Sequence, residues 1–113
     1  MFRYFALLLI PAIFSMQAAA QTPPKVDEKA LSALIAESMK DPESLRMKNV
    51  RLHPTEDAST WHLCGEYNAK NSSGGYAGFA YFVGSAVKQS SGPLTYVVRD
   101  YGDFARSFCT SLN

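Results

Sequence analysis

The chain lacks most of the patterns that announce a chemistry. Its 113 residues include only two cysteines and two histidines, with no paired C-x-x-C of the strong zinc-site kind. No Gly-Lys-Ser/Thr follows its glycine-rich stretch, which excludes a phosphate-binding P-loop. It lacks an excess of either charge, with 11 Lys and Arg against 10 Asp and Glu. The charges are mixed along the chain, so there is no basic field to attract nucleic acid or an anionic membrane. It also lacks an apolar run of the ~20 residues that a membrane span needs. The longest, from Tyr4 to Phe14, is interrupted by Pro11.

That short run has its own reading. In MFRYFALLLIPAIFSMQAAA, Arg3 supplies a positive start, the apolar run follows, and Ala18 and Ala20 are the small residues before a cleavage point. This is the pattern of a secretory signal peptide over 1–20, removed after Ala20. Gln21 then begins the mature chain, and no cysteine beside it offers a thiol for lipid attachment, so no membrane anchor is expected after cleavage. The expected location is periplasmic or secreted. Removing 20 of the 113 residues leaves 93, enough for one small domain. Removing Arg3 balances the charges at ten of each sign.

Both cysteines, Cys64 and Cys109, fall in the exported part. In an oxidising compartment the simplest reading is one disulfide, contributing about 4 kcal/mol in the chain-entropy description. The alternative is a metal site from His62 and Cys64, two apart on one strand face, with His53 nearby in sequence. The expectation is a disulfide, no metal and no cofactor.

Residues 21–26, QTPPKV, read as a flexible polar leader. Over 27–40, Leu31, Leu34, Ile35 and Met39 recur at helical spacing behind an Asp27 cap. Asp41-Pro42 ends that helix, since proline disfavours helical geometry in the residue before it. A strand is expected at 47–53, where Val50 and Leu52 alternate with Asn49, Arg51 and His53. A second runs over 60–69, with Trp61, Leu63 and Tyr67 on one face and His62, Cys64, Glu66 and Asn68 on the other. YAGFAYFV, 76–83, reads as a covered strand, GSAVKQSSGP as a turn region, and LTYVV, 94–98, as a further strand. Tyr101, Phe104, Ala105, Phe108 and Leu112 then give a short closing helix, with Asp100 ending the strand and Asp103 capping the helix. The sum is a single α+β domain over 27–113. A small antiparallel sheet of three or four strands is covered by an N-terminal and a short C-terminal helix, both placed on one sheet face.

The stretch where a site would sit is the NAKNSSGGYAG loop, 68–78. Backbone amides around Gly74 and Gly75 can form an anion-binding concavity with Lys70 as charge partner. A plain turn, using Asn and Gly for positive φ, explains the glycines but not the clustering of Asn68, Lys70, Asn71 and Tyr76 with them. Lys70, Asn71 and Tyr76 are expected to be replaceable without loss of stability, whereas Gly74 and Gly75 are expected to need their backbone freedom. Nucleophile arrangements are weaker. Ser85-Ala86-Val87-Lys88 matches S-x-x-K without its companion segments, and Cys64 with His62 makes a poor nucleophile and base on one strand.

Together, Asp41, Pro42 and Ser44, then Cys64, Asn68-Ala69-Lys70-Asn71, Gly74-Gly75-Tyr76 and Gly78 form the pattern DPxS … C-x-x-x-NAKN-x-x-GGY-x-G. It resembles a group of small exported bacterial proteins and lipoproteins. The resemblance spans Asp41 to Gly78, implies export from a Gram-negative-type cell and carries over no catalytic residue. Lipidated members differ from this chain at the amino terminus. The expected function is a non-enzymatic binding module of the bacterial periplasm, presenting Asn68, Lys70, Asn71, Gly74, Gly75 and Tyr76 to an envelope protein or cell-wall component. Two alternatives stand beside it: a small envelope hydrolase or transferase with a site around His62, Glu66 and Lys70, and an immunity or inhibitor protein against an envelope toxin.

Overall fold

The computed structural model describes residues 10–12 and 22–113. Apart from 10–12, which carry no regular structure, the expected signal segment and its cleavage point lie outside the described residues.

Helix α1 spans Glu28–Ala36. Its N-terminus is closed by Asp27, whose Oδ1 accepts from the Ala30 N–H at 3.1 Å, satisfying one of the orphan donors of the first turn. Leu31 and Ile35, one turn apart, are fully buried. The helix stops four residues before the expected end at Lys40. Ser38 and Met39 donate to Ile35 and Ala36 in tight turns, so the chain is already unwinding before Asp41-Pro42. Pro42–Ser44 form a single 3-10 turn.

The four strands β1 (Arg46–Pro54), β2 (Thr60–Asn68), β3 (Ala80–Val87) and β4 (Thr95–Tyr101) follow in order, all antiparallel, and helix α2 (Asp103–Ser111) closes the chain. The fold is thus α+β, with a four-stranded sheet. Gly102, at φ 96°, occupies the cap position of α2, and Asp103 stands in its first turn instead of capping it.

The helices lie on opposite faces of the sheet, not on one as the sequence suggested. Leu31 and Ile35 of α1 pack with Leu52, Trp61, Leu63, Phe82 and Ala86. Ala105 and Cys109 of α2 pack with Cys64 and Val83. Cys64 and Val83 alternate with Leu63 and Phe82 along their strands, and alternation sends neighbouring side chains to opposite faces. A disulfide from Cys64 therefore draws α2 to the side away from Trp61. That bond is present, with the Cys64 and Cys109 Cα atoms 5.9 Å apart, inside the usual range.

Two departures within strands matter for the site. β3 lies four residues later than expected, because Gly84 and Ser85 are ladder residues and not a turn. A Cβ at Gly84 would collide with the Val97 carbonyl of β4, so the glycine is there for close strand approach. In β1 the register against β2 slips between Lys48 and Arg51. Asn49 takes up the extra length at φ 53°, a left-handed geometry that asparagine tolerates better than most residues. Its Nδ2 donates to Glu66 Oε2 at 2.6 Å. Past the slip the faces exchange. Met47, Val50 and Leu52 all reach the α1 core, while Arg46, Lys48, Arg51 and His53 stand opposite Asn68, Glu66, Cys64 and His62 on the α2 side.

Candidate functional site

The loop between β2 and β3 is organised by Asn71. Its Oδ1 accepts from the N–H groups of Ser73 at 3.0 Å and Gly75 at 3.3 Å. Its own N–H donates to the Gly75 carbonyl, and the Gly74 N–H donates to its carbonyl. Gly74, at φ 79°, supplies the left-handed residue that such a turn requires. Gly75 has no positive φ, and neither glycine has an atom near the place a Cβ would fill. The expected need for backbone freedom therefore applies to Gly74 and not to Gly75.

A second set of bonds ties the loop to the Asp41-Pro42-Glu43-Ser44 corner. The Lys70 N–H donates to Ser44 Oγ at 2.8 Å, and Tyr76 OH donates to the Ser44 carbonyl at 2.9 Å. Ser44 Oγ in turn donates to the Asp41 carbonyl at 2.7 Å. Lys70 and Tyr76 also pair as an isolated bridge. The Tyr76 ring, half-buried, lies beneath the Arg46 guanidinium at 4.6 Å, with Lys70 Nζ 5.9 Å from its centroid. Thus Tyr76 braces the loop, and Asn71 shapes it. Their replacement would remove these bonds, so the expectation of unchanged stability at Lys70, Asn71 and Tyr76 does not extend to Asn71 and Tyr76. The Asp-Pro-x-Ser corner and the NAKN/GGY segment, joined in the sequence only as parts of one pattern, form one hydrogen-bonded unit.

Beside this unit a cleft of about 420 Å³ opens towards the end of α1, with Met39, Lys40, Tyr67, Asn68, Lys70 and Tyr101 in its lining. Tyr67 and Tyr101 meet edge to face, 5.2 Å between centroids. Burial, with Tyr101 alongside, raises the Tyr67 phenol above its ordinary value, so at neutral pH the hydroxyl remains a donor. Asn68 Oδ1 is buried without a hydrogen-bond partner. An unmatched buried acceptor costs about 1–3 kcal/mol. Lys70 and residues 71–75 of the loop tip are exposed.

The residues of the enzymatic alternative are not brought together. His62 and Glu66 sit four residues apart on β2, roughly 13 Å along a strand, beyond the hydrogen-bond reach that acid–base partnership needs. The His62 ring meets Phe108 edge to face at 5.1 Å, and Glu66 accepts from Asn49. Cys64 is neither a thiolate nor a metal ligand while bonded to Cys109. Among the described residues no group of three His, Cys, Asp or Glu is placed to hold a metal ion. His53 and His62 face one another across β1 and β2. The Arg51 Nε–H donates to His53 Nε2 at 3.1 Å. Burial first, then the Arg51 charge and His62, hold the His53 imidazole below its ordinary 6.5.

Sequence reasoning missed the row Arg46, Lys48, Arg51, His53. Its signal was an asparagine inside a strand pattern, with basic residues at even positions before it and at odd positions after it. No helix among the described residues is long and apolar enough to cross a membrane. No family model, curated protein or solved structure matches the chain.

Proposed function

We propose that this chain is a small exported, non-enzymatic binding module of the bacterial envelope, and that the 68–78 loop with its adjoining cleft is its contact surface. The observation that carries this reading is the double anchoring of the loop. Asn71 fixes it from within and Ser44 from outside, yet Lys70 and residues 71–75 remain exposed. A loop held in one shape loses little conformational freedom on contact, which favours recognition. Export is supported by the signal pattern over 1–20 and is consistent with the Cys64–Cys109 bond, which persists in oxidising compartments. The resemblance in the NAKN-to-GGY segment points the same way.

A photo-reactive residue placed at Ser73, on the exposed loop tip, tests this in intact cells. Ser90, in the connection at the opposite end of the sheet, serves as control. The expected result is an envelope adduct at Ser73 alone, weakened by Lys70→Ala, with the mature protein beginning at Gln21 by intact mass. Equal adducts at both positions, or none at Ser73, would overturn the reading.

A further inference from the structure

Beyond that loop, the slip in β1 builds a second surface. Four basic side chains, Arg46, Lys48, Arg51 and His53, share the α2 side of an edge strand. Regular alternation would have put Arg46 and Lys48 on the face opposite to Arg51 and His53. The left-handed Asn49 is what gathers them, and bulges commonly re-aim side chains in this way. Helix α2 packs chiefly over β3, with β4 and β2 beside it, and leaves this flank of β1 open. Arg46 and Lys48 are exposed. Among the described residues the cations are not met by carboxylates. Arg46 lies over Tyr76, Lys48 Nζ lies 4.1 Å from the Phe79 centroid, and Arg51 donates to His53 and to the Asn49 carbonyl. Glu66, the acid opposite Lys48, is engaged by Asn49. On the far side stand Phe108 and Phe104, the latter 62% exposed, stacked 6.2 Å apart.

We propose that the open flank of β1 receives an extended acidic protein segment, its carboxylates at alternate positions facing Arg46, Lys48, Arg51 and His53. Same-face residues of an extended chain recur every ~6.6 Å, the spacing of the row itself on either side of the slip. The outer backbone groups of β1 have no strand partner among the described residues, and a peptide main chain can pair with such groups. A polynucleotide cannot, which favours a peptide among anions. A second copy of this chain is disfavoured, because two β1 edges would bring cation against cation.

The probe is a dye-labelled ten-residue peptide of alternating Glu and Thr, followed by fluorescence anisotropy at low salt, with a Lys/Thr peptide and a single-stranded oligonucleotide of equal charge as comparators. The acidic peptide should bind, and binding should weaken at least tenfold in Arg46→Glu/Lys48→Glu and in 0.3 M salt. The charge-matched variant Lys29→Glu/Lys88→Glu, away from the row, should change it less than twofold. Arg51→Gln gives a second row variant should the first fail to fold. Equal loss in both double variants, absence of binding, or tighter capture of the oligonucleotide would each overturn the proposal. Lys70→Ala separates the two surfaces. Peptide binding lost there but kept in the row variants places the acidic partner on the loop, whereas a failed Ser73 cross-link leaves the row untouched.

Discussion

Ser44 holds together segments 26 residues apart, through its hydroxyl to Lys70 and its carbonyl to Tyr76. Either bond is worth about 0.5–1.5 kcal/mol net. Ser44→Ala and Tyr76→Phe should therefore each lower unfolding free energy by about that amount in urea titrations. Tyr76→Ala should cost more, because it also strips the ring from beneath Arg46. A histidine gives the second residue-scale expectation. His53 is held below 6.5 by burial, by Arg51 on its own strand and by His62 across from it; Phe108, the α2 side chain against His62, carries no charge. Between the lowered value and 6.5 the unfolded chain binds a proton that the folded chain refuses. The contribution is thus complete above 6.5 and is lost as pH falls through the lowered value. Stability should decline from pH 7.5 to pH 5, and His53→Gln should flatten that decline in melting curves. An unchanged slope would show that other groups govern it.

Among the elements, β2 was readable almost to the residue, because Trp61, Leu63 and Tyr67 alternate cleanly with His62, Cys64 and Glu66. β3 was not. Its glycine and small residues at 84–86 look like a turn in sequence, whereas they are ladder residues and Gly84 serves the close approach of β4, and the aromatics at 76 and 79 lie outside strand β3. The same alternation in β2 contained the placement of α2 opposite α1. Reading it required following the disulfide from Cys64, on the sheet face away from Trp61, and layer rules alone did not supply that step. The loop was recognisable as a unit, but its attachment to Asp41–Ser44 depends on contacts far apart in sequence. The slip in β1 was hidden because both Val50/Leu52 and Arg51/His53 keep period two after it. Its energetic test is Asn49. A β-branched residue at φ 53° meets a left-handed penalty of roughly 1–2 kcal/mol, so Asn49→Val should destabilise by at least that much. Asn49→Gly should lose only the Glu66 bond, and calorimetric midpoints would rank the two.

For the whole molecule, the disulfide joins the layer of α2 to the sheet across 45 residues, worth about 4 kcal/mol in the chain-entropy description. Replacing Cys64 and Cys109 by alanine or serine should lower stability by roughly 2–5 kcal/mol, measured by chemical denaturation with and without reductant. The intact protein should react with no thiol reagent even when unfolded without reductant. Two labelled thiols in freshly isolated protein would contradict that. The bond also gives the molecule a covalent shape. Cys64 to Cys109 is a closed ring containing the 68–78 loop, β3, β4 and most of α2, while α1 and β1 form a tail outside it. Under tension applied at the two chain ends, the ring cannot lengthen. Extension must come first from drawing α1 off the sheet and peeling β1 away from β2, and it must halt at Cys64. The basic row would be pulled off the sheet together with Ser44, leaving the loop in its ring with the inner anchor at Asn71 and without the outer one, so tension would act on both surfaces at once.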